Sequence, residues 1–238
     1  FLPQAGATTH VRWGDWLATS GQDVRVDHAL ESDQEVSTHF DPMLGKVIVH
    51  GADRESARTG LIEALDETVI LGLTTNAGFL RTLLATREFA DATIDTAWLD
   101  RNEVTAPDPG VARMLAAAMT LPAVKSPQSG PFQGDGWRVA GEPAPTRVHL
   151  DEWVEVPTDA TAKLAGRTRT DGLLRASAVV ERAEERALGY ARRHEVEVVH
   201  RAQRYVFAYP DPFVDAAAVA GNGTLTAPMP GTVLAVKV

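Results

Sequence analysis

Apolar and polar residues alternate at Val24-Arg25-Val26-Asp27, and a second apolar stretch runs from Phe40 to Val49, interrupted by the turn-prone Asp41-Pro42. Period-two alternation of this kind predicts half-buried strands over the first fifty residues. From Asp53 the period changes, and Ala57, Leu61, Leu65 and Val69 recur at helical spacing on one face. Asp53 fits an N-cap, and Gly72 stands where a C-cap glycine is expected. A second short helix follows, capped by Thr75 or Asn76, with Phe79, Leu80, Leu83 and Leu84 as its buried face; residues 93–99 close the unit.

Asp108-Pro109 predicts another helix start, because proline at the first helical position loses no needed N–H. Val111, Met114, Leu115, Ala118, Met119 and Leu121 cover most of this helix's circumference, as in a helix enclosed by protein. Residues 121–136 are dense in Pro, Gly and Ser and read as an extended loop. Beyond Trp137, alternating runs at 137–140, 146–150, 152–156, 161–165, 173–181, 185–190, 194–200 and 203–209 predict an antiparallel barrel or sandwich. An Ala/Gly-rich linker spans 215–223, and a last segment starts at Thr224. The fold class is α+β.

At 238 residues the chain is one large domain or two ordinary ones, at roughly 100–200 residues per domain. Hydrophobic and charged fractions of 44% and 23% exclude a disordered tail or a fibrous repeat. A net charge of −9 with no basic block makes nucleic acid and anionic membranes poor partners. The absence of cysteine excludes disulfides, thiolate metal sites and a cysteine nucleophile. No apolar run is long enough for a membrane span and none has signal-peptide layout, so a cytoplasmic location is expected. A start at Phe1-Leu2-Pro3 and a stop within the strand-like run 233–238 suggest a piece of a longer polypeptide.

Candidate chemistry is sparse. Residues 51–60 begin and end in glycine but lack the Gly-Lys-Ser/Thr ending of a phosphate loop. His28, His39 and His50 recur evenly without the short spacings that converging metal ligands need, so no metal site is expected. No Gly-x-Ser-x-Gly elbow exists. Glu181, Glu184 and Glu185, interleaved with Arg182 and Arg186, read as a solvated charge patch, and the five scattered tryptophans as core anchors.

Two motifs carry more. Phe40-Asp-Pro-Met-Leu-Gly-Lys-Val-Ile-Val-His-Gly51, then Asp53-Arg54, Leu71-Gly-Leu-Thr-Thr-Asn76, Phe79-Leu80 and Asp95-Thr96, resemble the end of a biotin carboxylase domain. Leu225-Thr-Ala-Pro-Met-Pro-Gly-Thr-Val233 resembles the opening strand of a biotin carboxyl carrier domain. The short stretch between them resembles the BT domain of two-subunit acyl-CoA carboxylases, an antiparallel β-barrel around a central helix. The resemblance therefore implies the α subunit of a propionyl-, methylcrotonyl- or acetyl-CoA-type carboxylase. It divides the chain into the C-terminal part of the carboxylase domain (1–102), a BT domain (103–214), and a linker with the start of the carrier domain (215–238).

The same resemblance implies ATP- and bicarbonate-dependent carboxylation of carrier-bound biotin, with Mg or Mn, in the full-length subunit. Neither an ATP-grasp phosphate loop nor an Ala-Met-Lys-Met biotinylation site lies within these residues, so the fragment alone is expected to be inactive. It implies that Arg25 faces the ureido oxygen of biotin, where a fixed guanidinium would stabilise charge that accumulates as N1 is deprotonated. The alternative for Arg25 is a structural ion pair with Asp27 or Glu31. A carboxyltransferase β subunit, in an α6β6-type assembly, is the expected partner, and an acyl-CoA is reached only through it. The loop residues Pro122, Val124, Pro127, Pro131 and Phe132 are expected to contact that subunit. His50 and Arg54 are candidates for a carboxylase dimer contact. The competing class is a non-catalytic assembly module.

Overall fold

The computed structural model describes residues 5–14, 23–39, 41–121, 139–142, 144–156, 169–170, 173–180, 183–191 and 195–210. The first unit holds β1 (Gly6–Ala7), β2 (His10–Arg12), β3 (Asp23–His28), β4 (Glu35–Val36), β5 (Gly45–His50), α1 (Arg54–Glu67), β6 (Val69–Leu71), α2 (Ala77–Leu84), α3 (Arg87–Ala90) and α4 (Trp98–Arg101). Its strands form three antiparallel pairs, β1 with β4, β2 with β6, and β3 with β5.

Asp53 caps α1 as the spacing predicts: its side chain accepts from the Ser56 amide at 2.7 Å. That bond and the Ser56 hydroxyl hold the Asp53 carboxyl below its ordinary range. The helix nevertheless ends at Glu67, earlier than the apolar period implies. Val69, Ile70 and Leu71 are all buried and continue as β6, because two β-branched residues and a leucine suit a strand covered on both faces. Gly72 accordingly closes a strand, not a helix. Its φ of +87° and the 2.3 Å approach that a Cβ would make to the Ala7 carbonyl oxygen both demand glycine. On α2 only Gly78 and Leu84 are fully buried, and Leu80, expected in the core, is exposed.

The second unit begins with α5 (Pro109–Thr120), where Asp108 accepts from the Gly110 amide at 3.0 Å. A hairpin of β7 (Thr146–His149) and β8 (Trp153–Val156) follows. Then β9 (Arg169–Thr170), β10 (Leu173–Val180), β11 (Ala183–Ala191), β12 (Glu195–His200) and β13 (Gln203–Ala208) form one antiparallel sheet in the order β13-β12-β11-β10-β9. Residues 139–142 bend where a strand at 137–140 is expected, and Val139 is exposed. The expected run at 161–165, the loop from 122 to 136 and the segment 215–238 lie outside the described residues. Among those described, the strands form an open meander and a separate hairpin, and no closed barrel is shown.

Helix α5 is the centre of this unit. Ala112, Leu115, Ala116, Ala117, Ala118 and Met119 are buried, and they pack against Val148, Leu150, Val156, Ala187, Val196, Val198 and Phe207. Three consecutive alanines let strands approach the helix closely on several sides. Between α4 and α5, where the domain boundary is expected, the chain is irregular, yet the two units share a core of Val69, Leu71, Leu188 and Val199.

Leu115→Ala is expected to cost about 2–5 kcal/mol, read as a lower urea midpoint, because it opens a cavity at a fully buried site. Asp53→Ala lowers the melting temperature at neutral pH. The native carboxyl pKa is depressed, so the wild-type advantage is present above the unfolded pKa and fades as pH falls through the folded value. Melting curves of the two proteins should therefore converge on acidification.

Candidate functional site

Strands β3 and β5 form a two-stranded ribbon whose register sets Arg25 opposite Ile48, Asp27 opposite Lys46 and Asp23 opposite His50. Strand alternation turns Asp23, Arg25 and Asp27 to one exposed face, while Val24 and Val26 are half-buried on the other. Arg25 donates through Nε to Asp27 Oδ1 at 2.9 Å and through Nη2 to Asp27 Oδ2 at 2.8 Å. Its side chain is 71% exposed. The fork-to-fork hydrogen bond raises the guanidinium pKa and holds the Asp27 carboxyl below its ordinary range. This is the ion pair that the alternative reading of Arg25 requires.

His50 ends the ribbon, exposed, and Arg54 opens α1 beside it. Arg54 is engaged within the chain. It donates to the carbonyls of Ala90 at 2.9 Å and Phe89 at 2.7 Å, and its guanidinium lies 5.2 Å from the Phe89 ring centroid. A cation at the C-terminal end of α3 adds donors to these two carbonyls and is favoured by the negative end of the helix dipole. Pro122, Val124, Pro127, Pro131 and Phe132 lie outside the described residues.

A cavity of about 550 Å³ opens between the ribbon and the α1–α2 pair. Trp13, Met43, Leu61, Ile70, Leu83 and Phe89 give it apolar walls, and Asp41, Thr75 and Asn76 contribute polar groups. Asp41 is the one ionisable wall residue among the described residues, and its Oδ1 accepts from the Met43 amide at 2.9 Å. Arg25, His50 and Arg54 do not line it. The cavity can hold an apolar body with a hydrogen-bonding end, and its wall offers no paired acid and base among the described residues. No cluster of three or more His, Asp or Glu side chains converges on a metal position among the described residues, and no helix of theirs is long and apolar enough to cross a membrane.

Sequence reasoning missed this cavity because its wall is drawn from β4, β5, β6, the helices α1 and α2 and the connections between them. The available signal was that Asp41-Pro42-Met43 and Thr74-Thr75-Asn76, two motifs quoted for the resemblance, meet there. It also missed Glu197, whose side chain is only 2% exposed and bonds to Arg204.

An NMR titration should find Asp27 below the normal carboxyl range in the wild type. In Arg25→Gln it should move back up, because the main cause of its depression is gone.

Residues 1–101 match the family described as Biotin carboxylase C-terminal domain. Urea amidolyase of Saccharomyces cerevisiae is 32% identical over 145 residues, covering 60% of this chain and 7% of that protein. The mitochondrial methylcrotonoyl-CoA carboxylase subunit alpha of Oryza sativa subsp. japonica is 38% identical over 101 residues, 42% of this chain and 13% of its own length. Human mitochondrial pyruvate carboxylase is 36% identical over 103 residues, 43% of this chain and 8% of its own. The chain thus spans a small fraction of the relatives it matches. The first unit of this chain, residues 1–101, is a biotin carboxylase C-terminal domain of the kind found in biotin-dependent carboxylases.

Proposed function

We propose that the chain is the part of an acyl-CoA carboxylase α subunit that joins the biotin carboxylase domain to the biotin carrier. One observation carries this reading: a carboxylase C-terminal domain at residues 1–101 and the carrier-like Leu225–Val233 motif occur on one chain with only a helix-and-strand unit between them. That unit is too short for an intervening transferase domain, which supports a separate carboxyltransferase subunit. The burial of α5 among strands supports a BT-like module. In the full-length subunit, biotin, Mg-ATP and bicarbonate would supply the carboxylation chemistry. This chain's residues would shape one wall of the carboxylase domain and hold the partner.

Loop 121–136 is the proposed contact with the β subunit. Its Pro122, Pro127 and Pro131 limit the entropy lost on docking, and Phe132 can act as an anchor. In the intact subunit, replacing 124–133 by a Gly-Ser linker is expected to leave circular dichroism unchanged and abolish co-purification with the β subunit. Retained assembly would place the contact elsewhere.

Arg25 is the proposed guanidinium facing the ureido oxygen of biotin: its exposed side chain is accessible to a ligand, and the bidentate bond to Asp27 holds its plane in place. Arg25→Ala in the full-length subunit should therefore slow biotin carboxylation by orders of magnitude while barely changing ATP affinity. Near-normal carboxylation in that variant would leave Arg25 as a structural ion pair with Asp27. A second acceptor is favoured by the length of the match to urea amidolyase, which runs beyond the carboxylase unit. Turnover with a panel of acyl-CoAs against urea separates the two readings.

A further inference from the structure

Strand β12 is buried on both faces. Val196 and Val198 face the α5 cluster, whereas Glu197 and Val199 face the first unit. There Val199 joins Leu188 against Val69 and Leu71 of β6. The Glu197 carboxylate accepts from the Gly72 amide and from Arg204 Nε, each at 2.5 Å. Arg204 also reaches Thr74 Oγ1 at 3.4 Å. A carboxylate taken out of water costs several kcal/mol unless its charge and lone pairs are matched, and here the matching groups come from both units.

The turn after β12 adds a second, independent observation. Arg201 and Ala202 both have positive φ, 49° and 60°, as a tight two-residue hairpin requires. Neither is a residue that adopts this conformation readily, so the turn depends on its surroundings. Those surroundings belong to the first unit: Ala202 is buried with Leu65 and Leu84, and Gly78 of α2 lies so close that a Cβ would sit 2.9 Å from the Gln203 Cα. Further along β13, Tyr205 Oη donates to the Pro107 carbonyl at 2.9 Å.

We infer that the β12–β13 hairpin is a latch that makes the biotin carboxylase C-terminal domain and the following unit one cooperative body, with Glu197 as its pin. The second unit is then no tethered adaptor. It forms a wall of the carboxylase domain, fastened at the Gly72–Thr74 turn that leads into the cavity lining. The inference concerns the union of the two units and stands whether the acceptor is an acyl-CoA or urea.

Native-state hydrogen exchange by mass spectrometry on the full 238-residue chain tests it. In the wild type, the amides of 69–72 and 196–199 should open with one shared denaturant dependence; separate openings would overturn the latch. In Glu197→Gln, which keeps an acceptor for the Gly72 amide and loses the charge facing Arg204, both sets should exchange at least tenfold faster together. Acceleration at 196–199 with a wild-type rate at 69–72 would show that the units open independently. Gly78→Ala gives a second route should the glutamine variant fail to fold. It raises helix propensity in α2 while intruding on Gln203, so faster exchange at 196–199 supports docking, and an unchanged rate refutes it. Arg147→Gln, which breaks an exposed pair with Glu155 on the β7–β8 hairpin, should leave both sets at the wild-type rate.

Discussion

Glu197 is a carboxylate with almost no contact with water, held between a backbone amide of one unit and a guanidinium of the other. Burial of such a group dictates its neighbours. Gly72 must present its N–H inward, which its left-handed φ allows, and Arg204 must lie one strand over, which the β12–β13 register provides through the facing pair Glu197 and Val206. The apolar residues beside it, Val69, Leu71, Leu188 and Val199, exclude water and strengthen both bonds. The same contact covers Val69 and Leu71 of β6, so a three-residue strand can be wholly buried.

Local chemistry in the sequence located what local chemistry determines. Asp53 and Asp108 cap helices where their spacing places them, and the alternation at 24–27 is a strand. The period of four misled at Val69, because i, i+4 spacing cannot distinguish a helix continuing from a strand that happens to begin in phase; β-branching at Val69 and Ile70 was the better guide. Leu80 was misjudged because amphipathic spacing identifies a face without saying how far the neighbouring elements cover it. Glu197 was illegible for a related reason. In Glu195-Val-Glu-Val-Val the alternation reads as a solvated face, and only the tertiary arrangement turns that face against a second unit.

The candidate site divides in the same way. The Asp41-Pro42 turn and Thr75-Asn76 stood out in the sequence as motif residues, while their meeting around one apolar cavity depends on packing between segments distant in sequence. Arg25 shows the converse. A Val-Arg-Val-Asp pattern specifies a strand with Arg and Asp on one face, and that spacing of two is also what allows Asp27 to occupy two of the guanidinium's donors. A motif that suits catalysis and one that suits a surface ion pair are the same residues in the same register.

The Glu197–Gly72 bond also has a consequence for how the chain is made, since it joins residues separated by 125 positions. On a ribosome adding about 5–20 residues per second, roughly 6–25 s pass between synthesis of the glycine and of its glutamate. During that interval the apolar outer face of β6 and the Gly72 amide are without the strand that covers them in the finished fold. Slow synthesis through this stretch lengthens the exposure, and a chaperone that recognises short apolar strands would find its target there before the β12–β13 hairpin emerges.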